Sequence, residues 1–254
     1  MIQKKPLVSI IIPVFNEAKT VGELLRRVYQ YKNNKFDKEI IIVESRGTDG
    51  SREIVKEFVR KKHNVKLILE DKPKGKGHAV QEGIKISKGK IILIQDADLE
   101  YSVNDYEKVL TPIFAGKTSF VLGSRHLNDQ HSFSWRIRKF TGLEIPYAYV
   151  MNMAAILIHT FFNKLYGVSL TDPTTMYKVF TKELYTNIAP KTKGFDFDWE
   201  LVCKFVRLGN IPIEVPIKYE SRSPSQGKKI VFFKDGFSYI KTIIKCRFMD
   251  ISKI

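Results

Sequence analysis

Cysteine is almost missing: Cys203 and Cys246 are the only two. That excludes a disulfide framework and a cysteine-rich metal site, and fits a reducing compartment. A clean apolar run of the roughly 18–20 residues needed to cross a bilayer is also lacking. The longest candidate, "IPYAYVMNMAAILIHTFF", is interrupted by Asn152 and His159, so it is expected to be a buried or interfacial helix. The opening "MIQKKPLVSI" has lysines but no separate apolar core with a cleavage site; it is expected to be a strand and not a signal peptide. No low-complexity tract or fixed-period repeat occurs. Acids are scarce, with 27 Asp+Glu against 43 Lys+Arg, a formal charge of +16. That excess predicts an anionic partner, whether nucleic acid, phosphorylated substrate or acidic membrane surface, without choosing among them.

What is present reads as a globular α/β chain. The 254 residues, 43% hydrophobic, suffice for one large domain or a domain with an appendage. "LVSIIIPV", "EIIIVE", "VKLILE", "KIILIQ" and "SFVLGS" are near-continuous apolar runs, as expected of parallel strands covered on both faces. Helical spacing lies between them: Ala18, Val21, Leu25 and Val28; Ile54, Val55, Phe58 and Val59 behind the start signal "TDGS"; and "GHAVQEGIKISKG", closed by glycine. Alternation of this kind predicts a doubly wound, mostly parallel sheet with helices on both faces, and ligands at the carboxyl ends of its strands. "PVFNE", "ESRGTDG" and "DADLE" fall at three such ends. After about Trp135 the alternation stops. Tyr147–Tyr166 reads as a helix with Asn152, His159 and Asn163 on a polar stripe, and "IPIEVPIKY" as a proline-punctuated strand. The last 25 residues read as an amphipathic helix, with Phe233, Phe237, Ile240, Ile244 and Phe248 on one side and Lys234, Ser238, Lys241 and Lys245 on the other.

The chemistry concentrates in "DADLEY". On an extended chain Asp96, Asp98 and Glu100 share one face. Crowded carboxylates repel unless a cation joins them, and Mg²⁺ typically takes one or two carboxylates plus substrate phosphates. The plain alternative is a helix cap at Asp96 and a solvated Asp98. Glu44 could accept from a base N–H or ribose hydroxyl, or "TDGS" could simply start a helix. "PKGKGHA", with Lys76, is glycine-rich and basic but lacks the Walker A spacing. His126 and His131 are spaced poorly for a metal. "SRSPSQGKK" gathers Arg222, Lys228 and Lys229 in a loop that could close over a diphosphate.

Together "IIIPVFNEAKTV", "VESRGTDGSREIV", "KGKGHAV", "DADLEY", "LGSR", "LTDPTTMYKVF" and "DFDWELVCKFVRLGNIPIEVPIKYESRSPSQGKKI" resemble family 2 glycosyltransferases, in the dolichyl-phosphate mannose/glucose synthase-like branch, in order and over nearly the whole chain. The resemblance implies a GT-A fold and a nucleotide-diphospho-sugar donor, UDP-glucose or GDP-mannose. It implies a catalytic domain over residues 1–220, with a nucleotide-sugar half to about 125 and an acceptor half from about 126. Residues 221–254 would supply a closing loop and the amphipathic helix. Pro13, Phe15, Asn16, Glu17, Glu44 and Lys76 would line the nucleotide-sugar pocket. Asp96 would contact the nucleotide, Asp98 would hold Mg²⁺ or Mn²⁺, and Glu100 would be a further metal neighbour. Arg125 would face a phosphate, Asp172 would lie near the sugar, and Arg222 and Lys228 would grip phosphate. Glu44-Ser45 stands where the family has two acids.

The reaction so implied is inverting transfer. A polyprenyl phosphate acceptor needs no strong base, because its second pKa is roughly 6; Arg125, Arg136, Arg138 and Lys139 are available to position it. A sugar-hydroxyl acceptor, as in lipid-linked glycan assembly, needs a carboxylate base, Asp172 ahead of Asp196 and Asp198. A lipid acceptor gives the positive charge a direction, toward an anionic membrane surface from the cytoplasmic side. A non-catalytic nucleic-acid-binding protein explains the charge but not three acids at a strand end, and the strands lack an array of aromatics for stacking bases.

Overall fold

The computed structural model describes residues 5–60, 62–127, 144–188, 190–222 and 232–250. All five expected strands form: β1 (Leu7–Val14), β2 (Asp37–Glu44), β3 (Val65–Leu69), β4 (Ile91–Ile94) and β5 (Phe120–Ser124). The apolar residues of β2, β4 and β5 and nearly all of β1 are buried without alternation; Val8, Ile10, Ile11 and Ile12 of β1 are wholly inaccessible, while the edge strand β3 leaves Leu69 exposed. A strand that hides both faces needs layers on both sides. The three expected helices follow as α1 (Val21–Gln30), α2 (Ser51–Val59) and α3 (Lys76–Lys85), and α4 (Tyr106–Phe114) precedes β5.

The sheet order is β3-β2-β1-β4-β6-β5-β7, where β6 is Lys178–Thr181 and β7 is Ile213–Pro216. The chain steps outward from β1 to β3, then jumps back to place β4 on the other side of β1, all in parallel. Right-handed crossovers therefore put α1 and α2 on one face and α3 on the other. The reversal between β1 and β4 opens a crevice at the carboxyl ends of those two strands.

β6 is the one strand the apolar pattern did not announce. It is four residues long, begins with a lysine, and runs antiparallel to both β4 and β5. Because it enters from the crevice side, it carries the preceding "TDPTTM" segment to the site. β7 closes the edge beside β5, with Pro216 where no further ladder bond is needed. β6 and β7 belong to the expected acceptor half, yet they complete the sheet begun by the nucleotide half.

Three more helices, α5 (Glu144–Tyr166), the short α6 (Lys182–Thr186) and α7 (Phe197–Arg207), precede the terminal α8 (Phe232–Phe248). The expected polar stripe of α5 faces inward. Asn152 and His159 are buried, and His159 Nε2 lies 3.1 Å from Thr174 Oγ1. The apolar side faces outward, with Leu157 at 65% exposure and Tyr149 and Val150 above half. Among the described residues, Ile145–Tyr166 is the segment long and apolar enough to cross a membrane. α8 is arranged likewise. Thr242, Ile243 and Cys246 pack inward, while Phe237, Ile240, Ile244 and Phe248 are exposed. Tyr166 Oη donates to the Ile243 carbonyl at 2.9 Å, and Arg207 Nη1 donates to the Cys246 and Met249 carbonyls at 2.7 Å each. The helix is thus docked through one narrow side, and the expected apolar stripe is not the side it docks with.

Candidate active site

The crevice is a cleft of about 420 Å³ whose walls include Pro13, Phe15, Glu17, Lys76, Asp96, Asp98, Glu100, Arg125 and Arg222. These nine residues come from all along the sequence, and each was expected at the site. Asn16, Glu44 and Asp172 are not in its walls. Lys228 and Lys229, together with Arg136, Arg138, Lys139 and His131, lie outside the described residues.

Two features aim the acids. Gln95, at the end of β4, accepts from Tyr106 Oη and Tyr177 Oη at 2.8 Å each, which fixes the strand end. Leu99 then adopts φ 64°, so the chain turns where an extended strand was assumed. The three acids are consequently split between two cations. Lys76 Nζ lies 2.7 Å from Asp96 Oδ1. Arg222 bonds Asp98 Oδ2 through Nη2 at 2.8 Å and Glu17 Oε2 through Nη1 at 3.1 Å, and its backbone N–H donates to Glu100 Oε1 at 2.8 Å. Tyr219 Oη donates to the other Glu100 oxygen at 3.0 Å. No three acids converge as a preformed metal cage among the described residues.

The donor set nonetheless suits a hard divalent cation. Asp98 is 9% exposed; burial, then Asp96 and Glu100, push its carboxyl up to about 7, with Arg222 opposing. A carboxylate in that position gains from any cation that reaches it. Mg²⁺ and Mn²⁺ prefer such oxygens and leave coordination positions for phosphate.

Lys76 reaches the cleft because Gly75 precedes it. Gly75 has φ 100°, and a Cβ there would run into the Lys193 carbonyl. Asn16 does a different job from the one expected. Its Oδ1 accepts from Thr48 N–H at 2.7 Å, while Asp49 accepts from Ala18 N–H at 2.8 Å, so the loops after β1 and β2 are stapled together. Glu44 is wholly buried under the second of these loops, bound to Gly47 N–H at 2.6 Å and to Arg52. Ser45, its neighbour, is the one in the cleft wall.

Asp172 is also wholly inaccessible. Its Oδ1 takes Arg125 Nη2 at 2.7 Å, and its Oδ2 takes Arg125 Nε at 2.7 Å and the Arg125 backbone N–H at 3.0 Å. It lies behind Arg125, which lines the cleft and stacks 5.1 Å from the Tyr219 ring. Burial works against the Arg125 charge, but Asp172 more than restores it and holds the guanidinium well above its usual range. Glu214 supports Asp172 in turn, accepting its backbone N–H at 2.8 Å.

Sequence reasoning missed the aromatic wall. Phe195, Trp199, Tyr219, Tyr239 and Met176 line it. Trp199 packs against Phe162 of α5 and Tyr239 of α8, so the wall joins the cleft to the two outward-facing helices. Asp198, ranked behind Asp172 as a base, is in the cleft and lies 3.2 Å from the wholly buried Lys178. The aromatic density of "GFDFDWE" was the available signal; its partners come from other elements.

A mostly parallel sheet with one antiparallel strand, and a charged cleft at its switch point, is the arrangement of the GT-A fold. Solved structures of this shape include mannosyl-3-phosphoglycerate synthase from Rubrobacter xylanophilus (TM-score 0.67, 17% identity, 95% of this chain and 73% of that one). Another is glucosyl-3-phosphoglycerate synthase from Mycobacterium tuberculosis in complex with Mn²⁺, UDP-glucose and phosphoglyceric acid (TM-score 0.68, 15% identity, 97% and 81%). The chain belongs to glycosyl transferase family 2, whose model matches residues 9–187. Its sequence is 28% identical over 255 aligned residues to a dolichyl-phosphate beta-glucosyltransferase of Dictyostelium discoideum, covering 94% of this chain and 73% of the relative. It is 25% identical over 241 to a dolichol-phosphate mannosyltransferase of Pyrococcus furiosus, covering 94% and 63%.

Proposed function

We infer that the chain transfers a hexose from a nucleotide-diphospho-sugar, UDP-glucose or GDP-mannose, to a polyprenyl phosphate with inversion. The observation that carries this is the consumption of Asp172 by Arg125. The carboxylate ranked first as a base for a hydroxyl acceptor is wholly buried and bound to Arg125 outside the cleft wall, whereas a permanently charged guanidinium faces the cleft. Asp196 is engaged as well, accepting from Ser238 and Thr242. A phosphate monoester needs the cation and not the base. The relatives named as dolichyl-phosphate sugar transferases support the same acceptor class.

In this reading Pro13, Phe15, Glu17 and Lys76 hold the nucleotide, with Ser45 replacing Glu44 in the pocket wall. Asp98, with Asp96 and Glu100 nearby, would hold Mg²⁺ or Mn²⁺, which when bound would offset charge on the leaving diphosphate. Arg125 positions the acceptor oxygen for attack on the anomeric carbon, and Asp172 keeps Arg125 in place. Arg222 neutralises the departing nucleoside diphosphate. The test is transfer of labelled sugar from UDP-glucose and GDP-mannose to a short polyprenyl phosphate, against a lipid-linked sugar with a free hydroxyl. Product on the phosphate is expected; product on the hydroxyl alone would refute the assignment.

The same reading places the protein at a membrane surface, with residues 221–254 as closing segment and surface helix. The outward apolar sides of α5 and α8, bordered by exposed Lys241, Lys245 and Arg247, support it. Each exposed apolar side chain that enters the interface contributes roughly 1.5–3 kcal/mol. The pair Leu157→Glu and Phe237→Glu should therefore lower sedimentation with anionic vesicles at least about tenfold. Undiminished binding of the pair would place the contact elsewhere.

A further inference from the structure

The Arg222 clasp has a consequence beyond phosphate gripping, and it rests on the metal reading above. One guanidinium bridges Glu17 and Asp98, with Nε 3.6 Å from Glu100, and thereby ties the acids of the two segments that follow β1 and β4. Its side chain is 20% exposed. The clasp is also incomplete, because Nε is buried without a hydrogen bond. A structural arginine of this burial normally satisfies its whole fork. The Arg222 backbone N–H is tied to Glu100 at 2.8 Å, so the side chain can leave the acids while the chain stays in place.

We propose that Arg222 occupies the cation seat while the donor is absent, and that metal and nucleoside diphosphate displace it together. A free divalent ion must expel the guanidinium from Asp98 and Glu17 and leave it without a comparable partner. An ion that arrives with a diphosphate brings that partner, since phosphate oxygens accept the two-pronged guanidinium at least as well as a carboxylate does. Arg222 thus passes from carboxylates to diphosphate as the seat is filled. The exchange makes metal affinity depend on nucleotide, and by linkage nucleotide affinity depend on metal to the same degree. It also suits the chemistry: the charge that neutralises the leaving group becomes available only when a leaving group is present.

Mn²⁺ binding to the full chain, followed by the electron-spin-resonance signal of the free ion, tests this without any sugar transfer. The wild-type chain should bind Mn²⁺ weakly alone, and at least about tenfold more tightly with UDP or GDP present. Arg222→Gln should bind Mn²⁺ alone about tenfold more tightly than wild type, and lose most of the nucleotide-induced gain. Arg222→Lys, whose single ammonium cannot span the same acids, should fall between the two and guards against a misfolded Gln variant. Mn²⁺ affinity in the absence of nucleotide that is unchanged or weaker in both folded variants overturns the displacement. Absence of Mn²⁺ binding by every form, even with nucleotide, overturns the metal reading itself and the displacement with it.

Discussion

Asp98→Asn is expected to cut transfer roughly a thousandfold, the scale on which loss of one preorganised electrostatic contact to a reacting centre is felt. The fold should survive. The substitution removes one of three crowded negative charges, and Arg222 keeps Glu17 and its backbone bond to Glu100. Circular dichroism and thermal unfolding close to wild type, with turnover lost, is the expected pair of results. Turnover within a fewfold of wild type would remove Asp98 from the mechanism. A pH dependence accompanies it. Burial first, then Asp96 and Glu100, hold the wild-type carboxyl up to about 7. Below that pH it carries a proton that a metal must displace; above it the ligand is ready. Affinity for the Mn²⁺–nucleotide pair should therefore rise as pH is raised through about 7, measured by equilibrium titration on the wild-type chain.

Asp172→Ala is expected to act mainly on stability. It strips the carboxylate from an arginine whose side chain is only 6% exposed, and breaking a buried ion pair from one side costs roughly 3–5 kcal/mol. For a chain of this size that is about 10 °C in Tm. Thermal unfolding reads it directly. Asp172→Asn separates the two roles offered for this residue. If the carboxylate were the proton acceptor, that variant would lose transfer at nearly full stability. Behind Arg125 it should instead lose stability and raise KM for the acceptor phosphate, because the guanidinium is no longer held in line. A stable Asn variant with normal KM and no turnover would sink the positioning role.

Much of this protein was legible along the chain, because parallel strands and the helices between them leave strong local marks. β1 to β5 were marked by near-continuous apolar runs. "PVFNE" and "DADLE" were placed at the cleft by one rule, that ligands gather where strands end. The short β6 escaped because four residues opening on a lysine carry little pattern. Only the tertiary structure says why that lysine is tolerated: Asp198 lies 3.2 Å away and Lys178 is wholly buried.

Residue types decided which side chains were chemically eligible; three-dimensional neighbours decided what they do. Glu44 and Asp172 looked like ligands or bases in the sequence, and Arg52 and Arg125 turned both into supports. The alternation of Asp96, Asp98 and Glu100 predicted one face, but the positive φ of Leu99 broke the extension that prediction required. The helix at Tyr147–Tyr166 was expected from its composition as buried or interfacial, and the sequence left open which way its polar stripe would face. Periodicity gives the angle between polar and apolar sides, whereas burial of His159 depends on Thr174 and Trp199, which lie outside that helix. Local sequence set the elements and the supply of acids and cations. Long-range pairing set which charges cancel inside the protein and which remain to meet a substrate.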